Sequence, residues 1–210
     1  MATIGRKAAF ATATATAWAA AAGPALAHHM MGGKLPASFG EGLLSGLAHP
    51  VIGPDHLAFV VAIGIAAAVV PAGISLIGAF LAASATGILA HFGALALPMS
   101  DTLAAATVIA AGVLVALGRR AGGRAWLTLA AVAGLVHGYA LAESIVGADR
   151  GVLGAYLLGL AVTATCVAIL VMAATRAWIA ASATAETRLQ AAGALVGCVG
   201  LVMLAVGAVA

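Results

Sequence analysis

From Phe39 to the C-terminus the chain consists of long apolar runs separated by short stretches of Gly, Pro or charge. The runs fall at residues 39–70, 72–97, 102–118, 125–142, 151–175 and 189–210. Most are close to the roughly 20 residues an α-helix needs to cross a bilayer core. The apolar–polar alternation of a membrane β-barrel strand is absent from them. The pattern predicts an all-α fold: a polytopic membrane helix bundle of six transmembrane spans. Pro71 and Pro98 bound the second span, and the first is broken between Pro50 and Pro54.

The first 27 residues follow another pattern. Arg6 and Lys7 precede an apolar stretch of Ala and Thr at 8–22, and Ala25-Leu26-Ala27 forms an A-x-A cleavage site. This is the layout of a secretory signal peptide. The chain thus divides into a cleaved signal peptide (1–27), a periplasmic tail (28–38) that opens His28-His29-Met30-Met31, and a six-span domain (39–210).

Composition agrees with the runs. Hydrophobic residues make up 64% of the chain and charged residues 7%, against about 25% charged in soluble domains. The net charge of +3 rests on few residues and gives no nucleic-acid footprint. Arg119, Arg120 and Arg124 share one loop, and Arg176 and Arg188 flank another. Positive loops face the cytoplasm, so both mature termini are expected outside, as a cleaved signal peptide also requires. Cys166 and Cys198 lie in apolar runs and read as packing residues. A P-loop is missing, which excludes nucleotide hydrolysis of that kind by this chain. Small residues are dense at 78–96, the composition of closely packed membrane helices.

Against this background the ionisable residues stand out. His49, Asp55, His56, His91 and His137 fall within spans, and Glu143 lies at an edge. Such groups are costly in the bilayer and face the bundle interior or a water-filled cavity. His91 and His137 are each about six residues from the outer end of their spans, roughly 9 Å deep. His49 enters from the same side, with Asp55 and His56 somewhat deeper. All of them fall in the outer half or near the middle of the bilayer.

His49 and His56 would lie about 10.5 Å apart along an unbroken helix, too far to share one ion with ligand bonds of about 2.1 Å. The intervening Pro-Val-Ile-Gly-Pro removes that obstacle. Pro50 disfavours helical geometry at His49, and Pro54 suits the first turn of a new helix. One short helix is expected to end near His49 and a second to start near Pro54. Asp55 then lies in a first turn, where the helix dipole favours a carboxylate. Discontinuous helices of this kind build ion sites in transporters.

Imidazole with carboxylate suits Ni(II), Co(II), Zn(II) or Cu(II) better than Mg(II) or Ca(II). The competing readings are a hydrogen-bonded structural histidine, which applies best to His91, and a proton relay of His and Asp. In the fourth span, Gly138 beside His137 allows another helix or a ligand to come close. Tyr139 reads as an interface anchor. Glu143 is about 120° around an ideal helix from His137 and joins the site only if the helix end unwinds.

These residues resemble the HupE/UreJ family of bacterial inner-membrane proteins, implicated in nickel uptake for hydrogenase and urease. That family's first motif, His, five residues, Asp-His, is complete at His49, Asp55 and His56. Its second, Phe-His-Gly, two residues, His-Gly, one residue, Glu, is partly kept in His137, Gly138 and Glu143. Val136 replaces the Phe, and Leu141-Ala142 the second His-Gly. His91 is a candidate for the missing nitrogen.

The leading expectation is a secondary permease, and no enzyme, for Ni(II) or Co(II) in the bacterial inner membrane. His49, Asp55, His56 and His137 would bind the transported ion, with His91 and Glu143 as weaker candidates. No organic cofactor and no nucleic-acid partner is expected. The partners are the metal ion and the bilayer, with a metalloenzyme maturation system downstream. Two alternatives stay open: a membrane-embedded zinc hydrolase with metal-activated water, and a copper-handling permease or assembly factor, which Met30 and Met31 favour.

Overall fold

The computed structural model describes residues 34–71, 73–181 and 184–208. The expected signal peptide and the His28–Met31 stretch lie outside the described residues. Regular structure among the described residues is entirely helical: α1 (Phe39–Ile52), α2 (Pro54–Val69), α3 (Ile74–Phe92), α4 (Ser100–Leu117), α5 (Gly122–Ala142), α6 (Arg150–Ala180) and α7 (Ala185–Gly207). A short 3-10 helix, Gly118–Ala121, joins α4 to α5.

Helix α1 opens on a relative of the capping box, with Glu41 reaching the amide just before the N-cap Ser38. Ser38 Oγ accepts from the Glu41 amide at 3.2 Å, and Glu41 Oε2 accepts from the Ala37 amide at 2.7 Å. The helix does not stop at His49. It continues through Pro50 to Ile52, forgoing the one helical bond that the missing N–H of Pro50 would have made to Gly46. The break falls at Gly53, where α1 and α2 meet at 76°. Pro54 takes the first position of α2, where its missing N–H costs nothing.

Two other ends differ from the apolar runs. Helix α3 stops at Phe92, five residues before Leu97. Ala94 takes a positive φ of 58°, and the Leu95 amide reaches back to the Ala90 carbonyl, a Schellman-type stop. Helix α6 runs past Thr175 to Ala180. Arg176 is exposed there but donates from Nη2 to the Ala67 carbonyl at 3.1 Å, which ties the end of α6 to α2.

Helix α3, the stretch Ser100–Ala142, α6 and α7 are each long and apolar enough to cross a membrane, and α1 with α2 passes the same test as a pair. The stretch Ser100–Ala142 folds back on itself. Thr107 and His137 touch, whereas one straight helix would hold them about 45 Å apart. The reversal uses Gly118 and Gly122, both at positive φ.

Glycines set the closest helix pairs. Gly42 and Gly46 of α1 lie on the backbone of α6 at Val152 and Tyr156, and Gly64 of α2 lies at Ala168. Contacts thus advance along α6 as the chain advances, down to Arg176. Gly134 and Gly138 of α5 lie on the α3 backbone at Phe80 and Ser84, again in parallel. Helices α4 and α7 meet antiparallel through Gly112 and Gly193. A side chain at any of these contacts would push the backbones apart. The main apolar core gathers Phe59, Ile63, Phe80, Val108, Trp126 and Val196.

Candidate metal site

The break at Gly53 turns the start of α2 into the bundle. A Cβ on Gly53 would lie 2.7 Å from His56 Cδ2 and 3.4 Å from Asp55 Oδ1, so the missing side chain makes room for the two that follow. Asp55 is 5% exposed and His56 2%. Facing them is His137 of α5, fully buried, whose backbone is drawn in by the glycine contacts with α3. The Nδ1 atoms of His56 and His137 are 2.7 Å apart, and Asp55 Oδ2 is 3.6 Å from His56 Nδ1. Asp55, His56 and His137 each offer a ligand atom within 4.8 Å of the others.

Two metal ligands at right angles on bonds of about 2.1 Å are about 3.0 Å apart. The two nitrogens at 2.7 Å are at hydrogen-bond separation, a few tenths of an ångström closer. An ion held by both nitrogens would need an outward rotation of one ring and the departure of the proton shared between them, to the other ring nitrogen or to solvent. The donor set, two imidazoles and a carboxylate, suits such an ion.

His49 sits at the rim of this group. Its ring centroid is 5.6 Å from that of His56, and its Nδ1 is turned to Tyr156 Oη at 3.0 Å and Ser144 Oγ at 3.2 Å. His91 is elsewhere. In the last turn of α3, rather than six residues inside a span, it stacks on Tyr139 at 4.2 Å and its Nδ1 lies 3.0 Å from the Tyr139 carbonyl. Glu143 is exposed and accepts from Ser100 at 3.4 Å. Neither joins the three-residue group.

Three polar residues that the sequence reading does not single out complete the surroundings. Thr107 Oγ1 lies 2.9 Å from His137 Nε2 and donates to the Ala104 carbonyl at 2.7 Å. Tyr156 donates to the Leu141 carbonyl at 2.9 Å, and Ser144 Oγ lies 3.1 Å from the same oxygen. All three are buried. Beneath His137 the rings of Phe59 and Phe80 stack 5.2 Å apart, with Phe59 5.0 Å from the imidazole.

A family model described as HupE / UreJ protein matches residues 16–204. The chain belongs to the HupE/UreJ family. No curated protein and no solved structure matches it. The family is a membrane-transporter family associated with nickel and cobalt, and this chain is a multi-pass membrane protein. Counted out from His137, the family's second motif places its second histidine at 141 and its glutamate at 144. Glu143 is one residue short of that position. This HupE/UreJ protein has Ser144 there, buried and within reach of His49, and Leu141 packs in an apolar cluster with Ile88, Ile145 and Leu160.

Proposed function

We propose that this protein is a secondary permease for a divalent transition metal, Ni(II) or Co(II) first, in the bacterial inner membrane. The observation that carries the reading is the buried group of Asp55, His56 and His137, brought together by a helix break and a second helix. Three ionisable groups buried in a membrane bundle mark a functional site. Asp55 offsets part of the ion's charge, and the two imidazoles supply borderline-soft nitrogen ligands. His49, its ring centroid 5.6 Å from that of His56, is the candidate for a fourth ligand. An open set of this kind suits transport, which requires release as well as binding.

The helix directions support six crossings. Spans one and five run parallel, spans two and four run parallel, and spans three and six run antiparallel, as alternation demands. The pair α1–α2 follows α6 from Val152 to Arg176, about 36 Å of helix, which supports one broken span over a re-entrant loop. With the arginine loops inside, the site lies toward the periplasm and both mature termini face out.

The cytoplasmic end holds a cavity of about 400 Å³ lined by Val69, Leu117, Arg119, Arg120, Glu186 and Leu189. Between it and the site, α2 presents Phe59, Ile63 and Ala66 and α4 presents Val108 and Ala111, all buried. This apolar layer separates the site from the inner cavity.

Purified protein in liposomes, offered Ni(II), Co(II), Zn(II) and Cu(II) in turn, tests the reading. Saturable uptake of Ni(II) or Co(II) that is lost in Asp55→Asn and His56→Ala is the expected result. Wild-type uptake in both variants refutes the site. Hydrolytic turnover without metal movement refutes the permease.

A further inference from the structure

We infer that hydroxyl–carbonyl clamps hold the site histidines in opposite tautomers, with His137 presenting Nδ1 and His49 presenting Nε2 to the cation. The inference rests on the permease reading for what the nitrogens bind, but the proton positions follow from the hydrogen bonds alone.

A hydroxyl has one proton to give. Thr107 gives its proton to the Ala104 carbonyl at 2.7 Å, and a carbonyl can only accept. The oxygen it turns to His137 at 2.9 Å therefore accepts, so His137 carries its proton on Nε2. The lone pair is left on Nδ1, the atom 2.7 Å from His56 Nδ1. Around His49 the same device works with the other nitrogen. Tyr156 directs its proton to the Leu141 carbonyl at 2.9 Å, and Ser144 gives its own to the same carbonyl at 3.1 Å or to Tyr156 Oη at 3.5 Å. Their oxygens, 3.0 and 3.2 Å from His49 Nδ1, accept from it. His49 Nε2 then carries the lone pair.

Thr107, Tyr156 and Ser144 are thus positioning residues that touch no metal. They occupy the place taken in many metal sites by a carboxylate or backbone carbonyl behind the ligand histidine. Their neutrality has a consequence. A carboxylate behind the ring would strengthen the ligand and tighten the ion, whereas a hydroxyl fixes orientation without adding charge. That suits an ion that must leave.

The test uses the full-length protein in detergent. Thr107→Val keeps the side-chain shape and removes the hydroxyl, while Thr107→Ser keeps the hydroxyl. Co(II) binding followed by its visible absorption is expected to weaken about 10- to 100-fold in Thr107→Val and to recover in Thr107→Ser, with unchanged thermal unfolding. Tyr156→Phe combined with Ser144→Ala is expected to weaken binding in the same way. Nitrogen-15 NMR of histidine-labelled wild-type protein without metal should show His137 protonated at Nε2 and His49 at Nδ1. A His137 proton on Nδ1, or wild-type Co(II) affinity in Thr107→Val, overturns the inference. The nitrogen spectra decide it even where transport fails, because they require no metal.

Discussion

His56 and His137 place their Nδ1 atoms 2.7 Å apart across 81 residues of chain. On the proposed permease reading the two imidazoles bind one ion as a unit, so their loss should not add. His56→Ala and His137→Ala are each expected to lower metal affinity by about 100-fold or more, and the double variant by little beyond either single one. Equilibrium dialysis of the purified proteins with Ni(II) measures this. Additive losses would place the two rings in separate sites.

Two glycines near the site separate binding from folding. A Cβ at Gly53 meets the His56 ring, a movable side chain, whereas a Cβ at Gly138 meets the Ser84 backbone. Gly53→Ala should displace the imidazole and weaken metal binding while thermal unfolding stays close to wild type. Gly138→Ala forces α3 and α5 apart and should destabilise the protein by about 1–3 kcal/mol. The reverse assignment in paired binding and unfolding measurements would contradict the packing described.

The sequence leaves unequal traces of these features. The helix break in the first span is legible because prolines and a glycine interrupt an apolar run beside three ionisable groups, whereas the grouping of Asp55 and His56 with His137 rather than with His49 is not. Thr107 leaves no such trace. It sits in a run of Ala and Val, its partner is 30 residues away, and a helical threonine commonly bonds back to its own helix. Tyr156 is hidden in the same way, since only the fold brings it to His49, whereas Ser144 could be found by counting the second motif out from His137. His91 misleads for the opposite reason: hydropathy carries on to Leu97, but the backbone turns at Ala94. Likewise, hydropathy locates every span, while the break at Gly53 rather than His49 depends on how late Pro50 falls in α1.

Orientation is open to a direct check. A cysteine in place of Arg120 should react with a membrane-impermeant maleimide only after the cytoplasmic side is exposed, with Cys166 and Cys198 replaced by Ala. A cysteine in place of Ala148 should react in intact spheroplasts. The opposite labelling would invert the protein and put the site on the cytoplasmic side.

If the imidazoles hold the metal as proposed, protons compete with it for the same nitrogens. A ligand histidine must be deprotonated to bind, so affinity falls as pH falls. In the acid range where the free site takes up one proton, apparent affinity should drop about tenfold per pH unit. Titrations with Co(II) at several pH values read the slope. A flat profile would mean that imidazoles are not ligands.

Ser144 offers a gain-of-function test. The family pattern puts a glutamate at this position, and here a hydroxyl stands 3.2 Å from His49 Nδ1. Ser144→Glu adds a carboxylate behind that ring, which raises its basicity and lowers the charge cost of holding a divalent ion. Retention of Ni(II) should tighten by about tenfold, the scale of such outer interactions, while the rate of release into liposomes slows. Tighter binding with faster uptake would break the trade-off between holding and releasing. Weaker binding would show that the added charge remains uncompensated in the apolar surroundings of Leu141 and Ile145.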